Sequence, residues 1–341
     1  MKTNELDYFL PPERIAQHSV SPRDASKLLV YDRATGMTQH KTFRDVGEFL
    51  RPDDLLVFNN SKVFRARLFD RTGQIEIFLL RPHGDVGWEC LGKPGRRLRV
   101  DDEVVLSTRV RGRVVQRFEN GRFVFSFVRD GKMMSVSEVI AFANKIGEIP
   151  IPPYVGEKPL SLSRYQTVYA KHAGSVAAPT AGFHFTRRLL GSLRGRGVRL
   201  AEVTLHVGIG TFQPIKTETI EAHTMHREWA DISVETARLI AETKARGGRV
   251  IAVGTTTVRA LEGLGGHAGS DDVNIFINPG YSFKVIDGLI TNFHLPRSTL
   301  LLLVSAFLGE ADGLDVLKNI YNDAIARDYR FYSFGDALLI L

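Results

Sequence analysis

Hydrophobic spacing divides this sequence into two textures, and that division limits its fold more than any other feature. From about Val63 to Phe127, apolar residues alternate over short stretches: Ile75, Ile77 and Leu79, then Val110 and Val114, then Phe123, Phe125 and Phe127. Glycine-containing turns separate these stretches. A period of two sends successive side chains to opposite faces, so the region predicts a small antiparallel sheet or barrel. A short helix over roughly Ser135 to Lys145 follows. Then Ile149-Pro150-Ile151-Pro152-Pro153 predicts a stiff extended exit, because proline fixes φ and keeps its predecessor out of the helical region.

Outside that stretch the period lengthens. Strands are expected at Leu28 to Tyr31, Leu55 to Phe58, Val198 to Val207 and Arg249 to Val253. Helices are expected after the capping residues Thr186, Ser233 and Ser298, and over Asp315 to Arg327, with Gly195, Gly197 and the Gly247-Gly248 pair as stops. The expected fold is therefore mixed α/β: a larger α/β domain over 1–62 and 151–341, with a smaller antiparallel β-rich, barrel-like domain inserted at 63–150. At 341 residues the chain suits two domains of about 150 residues each.

Charge follows the same division. The net charge is +7, and residues 63–150 hold 16 Lys/Arg against 11 Asp/Glu, so five of the seven excess positive charges lie in about a quarter of the chain. A local basic excess fits an anionic partner. The one cysteine, Cys90, excludes an intramolecular disulfide and a cysteine-rich metal cluster; within Trp88-Glu89-Cys90 it reads as a buried, inert thiol. The opening MKTNELDYFL has no basic region followed by an apolar stretch, and the run Leu300 to Leu308 is far below the ~20 residues a bilayer requires. A cytoplasmic protein is expected.

Several segments place polar or small residues where a core wants apolar ones. Gly174 to Thr186 combines close-approach residues, including Thr180 and Gly182, with His184 at the mouth of a helix; a packed histidine in a Gly/Ala turn is the alternative. His206 closes a strand, and Gly208 and Gly210 follow it without the third glycine of a dinucleotide fingerprint. Glu221-Ala-His223-Thr-Met225-His226-Arg-Glu228 has two histidines and two carboxylates but not the His-Glu-x-x-His spacing, so acid/base work is expected and no metal. Gly254-Thr255-Thr256-Thr257 with Arg259 has a strand, a glycine, hydroxyls and then a helix, a shape that grips phosphate or carboxylate; helix capping explains it equally well. It lacks the lysine of a P-loop. Asn292, His294 and Arg297 precede the helix at Ser298. The aromatic run Tyr329 to Asp336, with Arg330, suits base stacking or an ordinary buried strand.

Taken in order, AAPTAGFHF, TLHVGIGTFQP, the His-x-Met-His-x-Glu cluster, AVGTTTVRALE, TNFHLPRSTLLLLVSAF and YRFYSFGDA resemble the successive signatures of the S-adenosylmethionine:tRNA ribosyltransferase-isomerases. DLLVFNNSKV, IPIPPYV and YQTVYA match as well, so the resemblance spans essentially the whole chain. The pattern departs at Ser161 and Ser163, where acidic residues are common, and at Arg65 and Val273.

The resemblance implies a queuosine-pathway reaction. The ribosyl part of S-adenosylmethionine moves to the aminomethyl group of a 7-deazaguanine in the anticodon stem-loop of tRNA, giving epoxyqueuosine with loss of adenine and methionine. S-adenosylmethionine is then a consumed co-substrate, no tightly bound cofactor is needed, and a monomer is expected. Such chemistry needs a base beside the sulfonium and a group that keeps the amine neutral, which nominates His184, His206, His226 and His294 with Glu228. The Gly254 to Thr257 turn with Arg259 would hold the methionine carboxylate or a tRNA phosphate. Arg96, Arg97, Arg99, Arg111 and Arg113 are expected on the tRNA backbone. The rival readings are an S-adenosylmethionine-dependent RNA methyltransferase and a non-catalytic tRNA-binding protein.

Overall fold

The computed structural model describes residues 1–85, 87–151, 162–208, 214–309 and 311–341. Among these residues, a nine-stranded sheet is built on four parallel strands in the order Arg199–Leu205, Leu55–Asn59, Val250–Val253 and Gly288–Asn292. Ala337–Ile340 pairs antiparallel with the last of these and parallel with Lys27–Tyr31, and Thr38–Thr42 forms that edge. At the other edge Glu228–Ile232 pairs antiparallel with Arg199–Leu205 and with Gly269–Val273.

Alternate residues of the central strands feed two separate cores. Leu29, Leu55, Val57, Val250 and Ala252 pack against a layer containing the helices Val234–Ala245, Thr255–Gly263, Thr299–Leu308 and Gly313–Ala326. Leu28, Val30, Leu56, Phe58, Ile251 and Val253 pack against the helix Arg187–Gly195 and the 3-10 segment Phe43–Glu48. A strand covered on both faces has no use for polar alternation, which is why Leu55–Asn59 reads LLVFN and is buried along its length. Each such leucine contributes about 1.5–3 kcal/mol of burial. The helix starts follow their capping residues: the Ser135, Thr186, Ser233 and Ser298 side chains each accept a first-turn N–H.

The second sheet is antiparallel, in the order Arg67–Phe69, Glu76–His83, Gly87–Lys93, Arg122–Arg129, Val110–Arg117, Glu103–Val105, with Lys132–Met133 paired to Arg122–Arg129. Its own core contains Ile77, Leu79, Trp88, Cys90, Phe123, Phe125 and Phe127, closed by Val139, Phe142 and Ala143 of the helix Val136–Ile146. Burial pushes the Cys90 thiol well up, as suits an inert core residue. The two end strands approach where the Arg71 N–H donates to the Val105 carbonyl (3.0 Å) but form no ladder, so the sheet is a curled half-barrel and not a closed barrel. A bulge between Leu79 and Arg81 sets Arg81 opposite Glu89; with unbroken alternation Arg81 would face Trp88 instead. A short parallel ladder, Ser61–Val63 with His172–Ser175, lies where the chain passes between the two sheets.

The aromatic run at 329–336 is not a strand. Tyr332 has φ 73°, and the Asp336 carboxylate accepts the backbone N–H groups of Arg330 (2.8 Å) and Lys27 (3.0 Å), closing a loop before the strand begins at Ala337. Two polar anchors on one carboxylate decide the local conformation over aromatic β-propensity.

Candidate functional site

The strand ends Leu205 and Glu228 and the bulged end of the half-barrel's inner strands face one another across an open cleft of about 1130 Å³. His206, Gly208, His226 and Glu228 line it from the large sheet; Arg81, Glu89 and Arg122 line it from the half-barrel. The His206 ring stacks on Trp229 with centroids 5.2 Å apart and planes 22° apart. Its Nδ1 lies 2.8 Å from Ser61 Oγ, which lies 2.6 Å from Ser175 Oγ, and Ser175 Oγ accepts the Val207 N–H (2.8 Å). A Cβ on Gly174 would sit 2.5 Å from His206 Nε2, so glycine is what lets the ring lie there. Burial and then the neighbouring His172 lower the His206 pKa to about 4, which keeps the ring neutral at working pH.

Glu228 is buried and accepts the Gly208 N–H at 2.9 Å on one oxygen and the Arg259 guanidinium on the other. Arg259, also buried, donates in addition to the His226 carbonyl (3.4 Å). Across the cleft Arg122 donates to Glu89 (2.5 Å) and approaches His226 Nδ1 at 2.9 Å, and Arg81 donates to the other Glu89 oxygen (2.7 Å). Burial works against the Glu89 charge, but the hydrogen bonds from Arg122 and Arg81 outweigh it and hold the carboxyl below its ordinary range. His226 is lowered by burial first, then by the Arg122 and His223 charges.

A second, smaller hollow of about 440 Å³ opens on the other side of the 206–208 segment, with Val207 in its wall. Thr180, Gly254, Thr255, Thr256, Asn292 and His294 line it. Gly254, at φ 92°, turns the strand Val250–Val253 into the helix and, having no side chain, cannot cap it, so first-turn N–H groups lie at the hollow that Gly254, Thr255 and Thr256 line. Thr257 Oγ1 donates to the Val253 carbonyl (2.6 Å), and Thr256 Oγ1 accepts from Asn59 (3.2 Å), which also clamps Leu205 through both its N–H and carbonyl. The hydroxyls of Thr256 and Thr257 therefore hold the protein together. Arg259 is not in the wall of this hollow; Glu228 takes it.

His184 and His294 are both buried, 4% and 5% exposed. His184 Nδ1 is 2.7 Å from Ser26 Oγ and its Nε2 is 3.1 Å from Asn292 Nδ2, while Thr180 Oγ1 donates to Asn292 Oδ1 (3.0 Å). Since Asn292 Nδ2 also points at the Asp336 carbonyl (3.4 Å), the amide donates to His184, which orients Asn292 from behind. Burial is the main force that lowers His184 to about 4 and His294 to about 3. Gly182 sits where a Cβ would be 1.9 Å from the Tyr169 hydroxyl, a packing reason for that glycine.

The other nominated residues lie elsewhere. His223 packs edge-on against Phe276 (5.6 Å), Arg297 pairs with Asp7 (2.7 Å), and Arg330 holds Asp336 (3.0 Å) and the His18 carbonyl (3.2 Å). Arg96, Arg97 and Arg99 are exposed, and Arg111 and Arg113 form surface pairs with Glu103 (3.0 Å) and Asp101 (2.7 Å). Gly210 and Ser161 lie outside the described residues. Among the described residues, no group of three or more His, Cys, Asp or Glu is placed to hold a metal ion, and no helix is long and apolar enough to cross a membrane.

Comparison with known proteins decides the family. A model described as "Queuosine biosynthesis protein" matches residues 3–340. The chain belongs to the queuosine biosynthesis family. It is 49% identical to a protein of Moorella thermoacetica and 47% identical to one of Thermotoga maritima, each covering 100% of both chains and each named S-adenosylmethionine:tRNA ribosyltransferase-isomerase. A solved structure, S-adenosylmethionine tRNA ribosyltransferase from Thermotoga maritima, aligns with 99% of this chain and 100% of its own at a TM-score of 0.57 and 38% identity.

In this member of the queuosine biosynthesis family, sequence reasoning missed the half-barrel's share of the cleft. The signal was an arginine at 81, a glutamate at 89 and an arginine at 122 on strands whose alternate residues are core: Trp88 and Cys90 point inward, so Glu89 points out. Gly174 and Ser61 lie in segments the sequence singles out, but nothing there links them to His206, and Trp229 carried no recognisable pattern.

Proposed function

We propose that this enzyme transfers and isomerises the ribosyl group of S-adenosylmethionine onto the aminomethyl group of a 7-deazaguanine in tRNA, releasing adenine and methionine. The observation that carries this reading is the convergence of His206, His226 and Glu228 on one cleft between the two sheets. Such a cleft is of the size that seats a nucleoside-sized ligand. The sulfonium acidifies the adjacent C–H, and a neutral imidazole is able to accept that proton; His206, which lines the cleft and is pinned by Trp229, is the base candidate. Glu228, fixed by Gly208 and Arg259, lies beside the developing positive charge on the amine. His184 acts by orienting Asn292 and Thr180, and the first-turn N–H groups after Gly254 suit the methionine carboxylate.

In this reading residues 1–62 and 151–341 form the catalytic domain and 63–150 an inserted domain that meets the anticodon stem-loop through Arg96, Arg97, Arg99, Arg111 and Arg113. Surface ion pairs are worth about 0–1 kcal/mol, so Arg111 and Arg113 exchange their carboxylates for phosphate at little cost. The protein works as a cytoplasmic monomer.

The test is turnover with S-adenosylmethionine and tRNA carrying the aminomethyl-deazaguanine, followed by mass analysis of nucleosides and small products. Epoxyqueuosine with adenine and methionine is expected. S-adenosylhomocysteine would mark a methyltransferase instead, and no turnover would mark a binding protein.

A further inference from the structure

The contact between Arg122 and His226 has a chemical consequence beyond holding the two sheets together. A guanidinium has five donors and no acceptor, and it stays charged. With Arg122 Nη2 at 2.9 Å from His226 Nδ1, that nitrogen must offer its lone pair, since a proton there would set donor against donor. The arginine is itself fixed, because Glu89, 4% exposed, takes its other Nη at 2.5 Å and is held from behind by Arg81. The imidazole's remaining nitrogen is Nε2, and His226 lines the cleft.

We propose that Arg122, anchored by Glu89, is a positioning residue that keeps His226 neutral with its proton on Nε2, so that the half-barrel turns this histidine into a hydrogen-bond donor for the cleft and not a base. A neutral N–H donor suits an acceptor nitrogen or an anionic oxygen on the ligand, such as a ring nitrogen of a departing purine. The role in turnover rests on the reading of the cleft as the reaction centre; the protonation state does not. The charged groups around His226 come from every side: Arg122, Glu89 and Arg81 from the half-barrel, His223 and Glu228 from its own segment, Arg259 from the helix behind, and Asp272 on the edge strand, paired to Arg81 at 3.2 Å. Glu228 and Glu89 favour the protonated ring; burial, Arg122 and His223 oppose it.

The experiment is long-range proton–nitrogen NMR on protein labelled in its histidines, with His226 assigned by the disappearance of its signals in His226→Gln. The wild type and Arg122→Lys, which keeps a donor-only cation, are expected to show the Nε2–H form. In Arg122→Ala the ring should titrate about one pH unit higher, the usual scale of such shifts in proteins, and the acid limb of kcat/KM should move up with it. An Nδ1–H form in the wild type overturns the assignment, as does an Arg122→Ala protein whose His226 titrates like the wild type's. The wild-type spectrum needs no variant to fold. If His226→Gln turns over at the wild-type rate while the spectra behave as expected, the reaction-centre reading fails and the Arg122–His226 assignment stands.

Discussion

Acidification should destabilise this protein through two histidines that are almost wholly buried. His184 and His294 are 4% and 5% exposed, and burial holds them near 4 and near 3. In the unfolded chain both return to about 6.5. A folded value below the unfolded one means that the unfolded state binds the extra proton, so the stabilising contribution is complete above about 6.5 and is lost as pH falls toward the folded value. The slope is about 1.4 kcal/mol per pH unit for each group, so moving from about pH 7 to about pH 5 costs about 2 kcal/mol per histidine and about 4 kcal/mol for the pair. Other groups titrate in the same window, which makes the variant difference the informative quantity. Urea unfolding of the wild type and of His294→Gln at both pH values should show the variant's pH dependence smaller by about 2 kcal/mol. His294 is suited to this because, among the described residues, its Nδ1 has no hydrogen-bond partner, so a proton there gains nothing from them. Equal pH dependence in the two proteins would refute the argument.

Three further outcomes are expected. Glu228→Gln leaves the Arg259 charge buried, so it should cost about 3–5 kcal/mol in equilibrium unfolding, with a large part regained in Glu228→Gln combined with Arg259→Met; additive losses would show that the two residues do not act as a pair. Gly174→Ala drives a methyl against the His206 ring, held between Trp229 and Ser61, and should lower turnover toward the ~10²–10⁴-fold loss expected for removing an acid/base group; wild-type kcat in this variant would remove His206 from the mechanism. Neutralising Arg96 and Arg97 together should weaken tRNA binding and flatten the slope of log K against log salt by about 0.7–0.9 for each phosphate that an arginine no longer neutralises, whereas an unchanged slope would take both residues off the tRNA.

The sequence was most legible where a local rule governs. Capping serines and threonines set the helix starts, and the switch of hydrophobic period separated the half-barrel strands from the large sheet. It was least legible where one distant group decides. Tyr329 to Asp336 has the residues of a strand, yet Asp336 folds it into a loop through its hydrogen bonds with Arg330 and Lys27. Arg259 looked like a free cation after a glycine turn because its partner Glu228 lies 31 residues away in sequence. The four histidines looked alike in their motifs, but burial separates them: two line the cleft and two sit behind the second hollow or within its wall. No spacing rule reports depth.

The parallel ladder of Ser61–Val63 with His172–Ser175 bears on how this molecule is to be dissected. Ser61 and Ser175, its opposite ends, both belong to the relay that seats His206. The half-barrel can therefore be excised without unseating that imidazole only if the cut spares both strands and the join keeps them in register. Separately produced halves should fail to complement unless they rebuild this seam, and grafting a foreign module onto the chain succeeds only if the graft preserves it.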